Sequence, residues 1–517
     1  MSPAPAATPS RRRARLPFAF WALVLTYLAV AVNMTVASVA LPTISIDLQA
    51  STTELAWIVN ATPLASAAFI LFAGAWGDRF GRPLLLRLGL VVFLVSALLS
   101  SMATSPEQLI WLRGLTGLGS ALVMPAALAL TFDVVEEGSR RTAVGIIGAT
   151  QAGGALLGPL LAGAVLVVGG WGSAFLVVVP LLLVALLGTW RIPSERPRRA
   201  EGGMDTVGAT LVAFVSIGLL FAAVTASSTA AGTTSGIAAA LVVAALALVA
   251  LVAWERRCAN PIFIGPVLRS RVFWVPTLAI FLVQFVLGGI MFSNTQYVQL
   301  VLGFSALGAG AFLVPALLTW IISSATAGIT ARRFGVRWVA AVCLSCAAVG
   351  LLLLSTVSTS PTYPVFILGL LLVGMMGAAP ALMTHTAVSS YPDERRTIGS
   401  AINSAATRYG LAFGVAAFSG ILMGIYGANL LPALAGLTPE QSVTAQGSLG
   451  GALSIAGGLA EGPAGLLAET ARAAYVSGLQ TALLAAALLL AALAVLVFVM
   501  LRNVPVTSRP TGGDLHE

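Results

Sequence analysis

Two arginines stand inside long apolar stretches, Arg113 in LIWLRGLTGLGSA (109–121) and Arg408 in GSAINSAATRYGLAFG (399–414). Arg113, near the outer end of its run, either snorkels to the interface or turns inward, whereas Arg408, close to mid-span, faces the bundle interior or a wet cavity. His385 differs, because imidazole exchanges a proton near neutral pH; it is either a proton carrier or a hydrogen-bonded structural histidine. Asn33, in VNMTVASVALP, hydrogen-bonds without titrating. The 18 acidic residues fall in loops, tails or the ends of apolar runs, never at the centre of one. No run pairs a nucleophile with a base or gathers metal ligands, which places an enzyme last among the readings. Cys343 and Cys346 lie inside an apolar run and read as small packing residues. Three cysteines make no disulfide framework.

Two glycine-bearing segments add mechanical chemistry. In GAWGDRFGR (74–82), Gly74 and Gly81 permit tight turning, while Asp78, Arg79 and Arg82 sit where the chain leaves an apolar stretch. The segment is either a positively charged turn or a latch in which Asp78 meets cationic groups or the positive end of a helix. In GALLGPLLAG (154–163), Gly154, Gly158 and Gly163 give a smooth face for close helix packing. Pro159 weakens the local hydrogen-bond ladder. That segment is either a packing face or a pivot.

The elements that position these residues follow from composition. Of 517 residues, 58% are hydrophobic and 9% charged, against roughly a quarter charged in soluble domains. A mean hydropathy of +0.98 excludes a water-soluble protein, and the net charge of +9 does not make a nucleic-acid binder of it. A bilayer core of about 30 Å needs roughly 20 apolar residues per helix, and fourteen such runs are present. All 27 basic residues are arginine. With a cytoplasmic N-terminus, twenty-four of them fall on the cytoplasmic side, which predicts an even number of spans and both termini inside. Nine of the ten tryptophans lie near span ends, as interfacial anchors do; Trp320 alone is near mid-span.

The chain also repeats itself. Gly74 to Arg82 echoes Gly328 to Gly335 at an offset of 254, and Gly154 and Gly158 echo Gly410 and Gly414 at 256. This predicts an all-α membrane protein with two homologous six-helix bundles. The predicted divisions are a cytoplasmic tail (1–17), a first bundle (18–190), a linker with two extra helices (191–271), a second bundle (272–501) and a cytoplasmic tail (502–517). A long outer loop is expected over 427–472, with a short helical hairpin starting at Thr438-Pro439-Glu440.

With these motifs the chain resembles the major facilitator superfamily, in particular its fourteen-span drug:proton antiporter branch. GAWGDRFGR is similar to the family's loop between spans two and three, LIWLRGLTGLGSA to its fourth-span motif, and GALLGPLLAG to its antiporter motif in span five. The resemblance implies export of small drug-like or antibiotic-like molecules from the cell by alternating access, as a monomer in the cell membrane. It implies no cofactor, with a proton gradient as the energy source. It also implies that Asp78 meets the start of span thirteen, near Thr397 and Gly399. One departure stands out: the family's first span usually carries an acid where this chain has Asn33. Antiport then rests on a peripheral acid, on His385, or on nothing, and a cavity with arginines and no carboxylates is electropositive. The alternatives are an exporter without proton coupling, one dedicated to a natural product, or a transporter-like sensor. Coupling candidates are Asn33, Arg113, His385 and Arg408. Substrate-cavity candidates are Asn33, Gln284, Phe285, Asn294, Gln296, Tyr297 and Trp320, of which the aromatic ones are equally readable as packing residues.

Overall fold

The computed structural model describes residues 18–136, 139–192, 206–225, 233–258, 270–360, 362–390 and 396–502, apart from the side chains of 71, 74–75, 77–79, 140–142, 144–145, 152, 206, 233, 396–398, 400–401 and 461. Within them the regular elements are helices. The first six are α1 (Phe18–Asp47), α2 (Thr52–Phe80), α3 (Arg82–Ser100), α4 (Pro106–Val134), α5 (Arg140–Val168) and α6 (Gly172–Thr189). Next come α7 (Thr206–Thr225) and α8 (Thr233–Glu255). The chain continues through α9 (Arg271–Gln296), α10 (Ala306–Phe334), α11 (Val336–Leu354), α12 (Tyr363–Ser389) and α13 (Arg396–Leu430). Two short helices, α14 (Pro439–Gly447) and α15 (Leu449–Gly457), precede α16 (Glu461–Met500). Among the described residues, 13 helices are long and apolar enough to cross a bilayer. The fourteenth long helix is α2, with 29 residues and side chains only partly described beyond Ile70.

Local signals set the helix ends. Ser105 and Ser305 accept hydrogen bonds from the backbone N–H of Gln108 (3.3 Å) and Gly308 (3.1 Å), satisfying first-turn donors of α4 and α10. Gly81 and Gly335, at φ +96° and +85°, turn α2 into α3 and α10 into α11, in a region glycine enters without strain. Gln49 and Gly303 share positive φ as well, 52° and 74°, between α1 and α2 and between α9 and α10. Both pairs are separated by the same 254 residues as the sequence repeat. The repeat is therefore present in the backbone.

Packing repeats in the same way. In one half α1 lies against α5 and α6, and α4 against α2 and α3; in the other, α9 lies against α13 and α16, and α12 against α10 and α11. Small residues permit the close approaches. A Cβ on Gly154 would stand 2.6 Å from that of Ala31, and one on Gly158 would collide with Thr35. Gly410 and Gly414 hold the same relation to the carbonyls of Phe281 and Phe285. The halves meet through exchanged positions, the second helix of each against the fifth of the other: α2 on α13, and α10 on α5. Such reciprocity is what a two-fold relation produces. Outside the α2–α13 seam lies α7, touching both, with α8 packed on α7. Much of α8 faces outward, Leu246 and Val249 being 65% and 67% exposed, as suits a surface bathed in lipid.

One end of the bundle, the Ser45 face, is sealed by contacts between the halves. Gln299 Nε2 donates to the Val39 carbonyl at 3.0 Å, and the hydroxyls of Ser45 and Ser448 are 3.1 Å apart. A Cβ on Gly163 would stand 2.6 Å from Leu307 Cα, and one on Gly310 would stand 2.7 Å from the Pro159 carbonyl oxygen. The hairpin α14–α15 sits over this end. It starts in a capping box between Thr438 and Gln441, and Tyr426 ties it down by donating to the Ala445 carbonyl at 3.0 Å. The expected outer loop (427–472) is shorter than its sequence reading. Helix α13 continues to Leu430 and α16 already begins at Glu461, because the Ala- and Leu-rich segment after Pro463 favours helix beyond the apolar stretch itself. Arg472 therefore lies on a helix, where its Nε donates to the Leu300 carbonyl at 3.2 Å.

Candidate functional site

At mid-height between the halves lies a cavity of about 420 Å3. Helices α1, α2, α4 and α5 line it from one half, and α9, α10 and α13 from the other. Its polar groups are Thr35 and Ser38 (α1), Asn60 (α2), Arg113 (α4), Gln151 (α5), Gln284 (α9) and Ser324 (α10). Apolar surface comes from Met34, Leu287, Met291, Leu317, Ile321 and Val415, with Trp320 beside them. Neither an aspartate nor a glutamate is among the described lining residues.

Arg113 is 2% exposed. Its Nη1 donates to Asn33 Oδ1 at 3.0 Å and its Nε to the Ile58 carbonyl at 3.3 Å, while the guanidinium carbon stands 5.5 Å from the centre of the Phe175 ring. Thr62 fixes the backbone behind it by donating to the Arg113 carbonyl at 2.8 Å. Gly117 and Gly119 let α4 fit between α2 and α3: a Cβ on the first would stand 2.8 Å from Ala65 Cβ, and one on the second 2.8 Å from Phe93 N. Several amides in or beside the lining have spare capacity. Both side-chain atoms of Asn60, Oε1 of Gln284 and Nδ2 of Asn33 are buried without a partner among the described residues. Each such group costs about 1–3 kcal/mol until something meets it.

The residues singled out in the sequence separate into groups. Gln284, Trp320 and Arg113 line the cavity, and Asn33 stands directly behind Arg113. Phe285 stacks near Phe281 at 6.4 Å between ring centres and is not in the lining. Gln296 and Tyr297 are buried within their own half, Gln296 donating to the Phe292 carbonyl (3.2 Å) and Tyr297 to that of Ser358 (2.7 Å). Asn294 is 7% exposed and also outside the lining. His385 is exposed on α12 and does not reach the cavity. Arg408 is 8% exposed on α13, without an ion pair among the described residues. In the segment 74–82, Arg82 pairs with Asp133 at 3.2 Å; Gly74, Asp78 and Arg79 lie outside the described side chains. Of the antiporter-like segment, Gly154 and Gly158 meet α1, whereas Pro159 and Gly163 meet α10 of the other half.

The sequence profile of the Major Facilitator Superfamily matches residues 23–415, a stretch that holds every lining residue from Ala31 to Val415. The chain belongs to the Major Facilitator Superfamily. As a facilitator it is a membrane transporter and not an enzyme. It is similar to the multidrug efflux pump LfrA of Mycolicibacterium smegmatis, 34% identical over 94% of this chain and 97% of that protein. The methyl viologen resistance protein SmvA of Salmonella typhimurium is 31% identical, covering 92% of this chain and 96% of its own. The tetracenomycin C resistance and export protein of Streptomyces glaucescens is 29% identical over 92% and 90%. Among solved structures, the fold is like that of a bacterial homolog of the human lysosomal transporter Spinster in an inward-facing, occupied conformation, with a TM-score of 0.66 at 18% identity over 96% and 98% of the two chains. The D-xylose-proton symporter shares it at a TM-score of 0.55, 15% identity and coverage of 78% and 89%.

Asn60, Gln151, Thr35, Ser38 and Ser324 also line this facilitator's cavity, and none was singled out from sequence. Single polar residues in apolar helices were the available signal; which of them turn inward depends on packing that no local pattern encodes.

Proposed function

We propose that this facilitator exports small organic molecules of drug-like or antibiotic-like kind across the cell membrane by alternating access. The observation that carries the reading is the shared cavity: both halves line it at mid-height while contacts between them seal the Ser45 face. The relatives LfrA, SmvA and the tetracenomycin protein, all pumps or resistance proteins by name, support the outward direction of transport. Residues 18–190 and 272–501 act as the two moving bodies and 191–271 joins them. The arginine distribution makes the Ser45 face extracellular and both termini cytoplasmic. One chain supplies the whole cavity, so a monomer suffices. Asp78 acts as part of a cytoplasmic latch against the start of α13, while Pro159 and Gly163 form the outer contact on which the halves pivot.

A proton gradient is the energy source that the family resemblance implies. The second reading, export without proton coupling, is favoured by a specific feature: the described lining holds no carboxylate, and Asn33 rather than an acid accepts from Arg113. The test is uptake into everted vesicles across a panel of drugs and antibiotics, compared with vesicles bearing Trp320→Ala. Accumulation of at least one compound class, reduced in the variant, is expected; no accumulation of any compound would sink the export reading.

A further inference from the structure

Arg113 has hydrogen bonds but no countercharge among the described residues. Its described neighbours, the Asn33 amide, the Ile58 carbonyl and the Phe175 ring, are neutral. Among the described residues no carboxylate lines the cavity, and neither Arg113 nor Arg408 forms an ion pair. Arginine does not deprotonate to escape this, and a desolvated charge without an opposite partner is strongly unfavourable. The cavity therefore attracts a negative group and repels a second positive one.

Asn60 is a second, independent pointer. It lines the same cavity at 0% exposure, and its amide nitrogen and oxygen have no partner among the described residues. Its Nδ2, like the spare Nδ2 of Asn33 beside Arg113, is a donor suited to a carboxylate or sulfonate oxygen. Opposite these groups, Trp320, Leu317, Ile321 and Met291 offer apolar surface.

Building on the export reading, we propose that the cavity binds amphiphilic organic anions, the charged group at Arg113 with Asn60 as a further donor, and that the membrane potential draws them outward. Moving one negative charge out of a negative interior is favoured by about fifty-fold per 100 mV. A titrating carboxylate inside the spans is then unnecessary.

The test uses the full chain and two dyes with a common xanthene body, the sulfonated anion sulforhodamine B and a cationic rhodamine ester. In detergent, fluorescence anisotropy should show the anion binding about tenfold or more tightly than the cation. Arg113→Gln should weaken the anion by about tenfold, with Arg113→Lys recovering part of the loss. Asn33→Asp places a carboxylate where the structure has an amide 3.0 Å from Arg113, which reinforces the contact and protects the fold; it should turn the preference towards the cation. A cation bound as tightly as the anion by the unaltered chain, or a ratio unmoved by Asn33→Asp, overturns the site. In liposomes, anion flux should follow a potassium–valinomycin potential and ignore an imposed pH gradient; flux that follows only the pH gradient overturns the driving force. Charge-selective binding without flux of either dye defeats the export reading and leaves the site standing, whereas flux without charge preference does the reverse.

Discussion

At the residue scale, each half is held together internally by absences of side chain. Gly414 of α13 lies so close to the Phe285 carbonyl that any Cβ would collide with backbone, which has no rotamer to move aside. Gly424, on the same helix, has nothing within 4 Å of its Cβ position. Gly414→Ala should therefore lower the melting temperature in detergent, at an overpacking cost of about 1–3 kcal/mol. Gly424→Ala should leave it unchanged or raise it slightly, since alanine favours the helix. Equal melting temperatures for both variants would show that α9 and α13 do not approach as described. The glycine pairs were legible in the sequence because they recur at a fixed offset. The lining was only partly legible. Gln284, Trp320 and Arg113 reach the cavity, but Gln296 and Tyr297 do not: Gln296 turns to the Phe292 carbonyl and the Tyr297 hydroxyl to that of Ser358, where the helix widens into a π-helical turn over Tyr297–Val301. A linear pattern shows polar residues near one another and not the local winding that aims them.

At the element scale, α1 and the α14–α15 hairpin meet across the boundary between the halves. The Ser45 and Ser448 hydroxyls are 3.1 Å apart, close enough for a disulfide once both are cysteine. After replacement of Cys258, Cys343 and Cys346, Ser45→Cys with Ser448→Cys should cross-link on oxidation, halt transport and recover it on reduction. Cross-linking with undiminished transport would show that the hairpin travels with α1 instead of parting from it. Helix existence was well signalled, since runs of about 20 apolar residues have few alternatives. Helix ends were not: α13 and α16 extend past the apolar stretch, because alanine and leucine sustain a helix in water as in lipid.

At the scale of the whole molecule, α2–α13 and α5–α10 form a reciprocal seam around one cavity, with α7 and α8 outside it. We propose fourteen crossings, which put both ends of the chain on one side, and the arginine distribution favours the cytoplasm for them. Fluorescent protein fused to either terminus should glow, since it folds in the cytoplasm, and alkaline phosphatase fused to either should stay inactive. Activity from phosphatase at one end alone would mean an odd count of crossings. The hairpin over the Ser45 face has a practical corollary. Its hydroxyl contact with Ser45 crosses between the halves, so the composite surface made by α1 and the hairpin vanishes whenever the mouth opens. An antibody raised against that junction would recognise one shape of the protein and hold it there, inhibiting without entering the cavity.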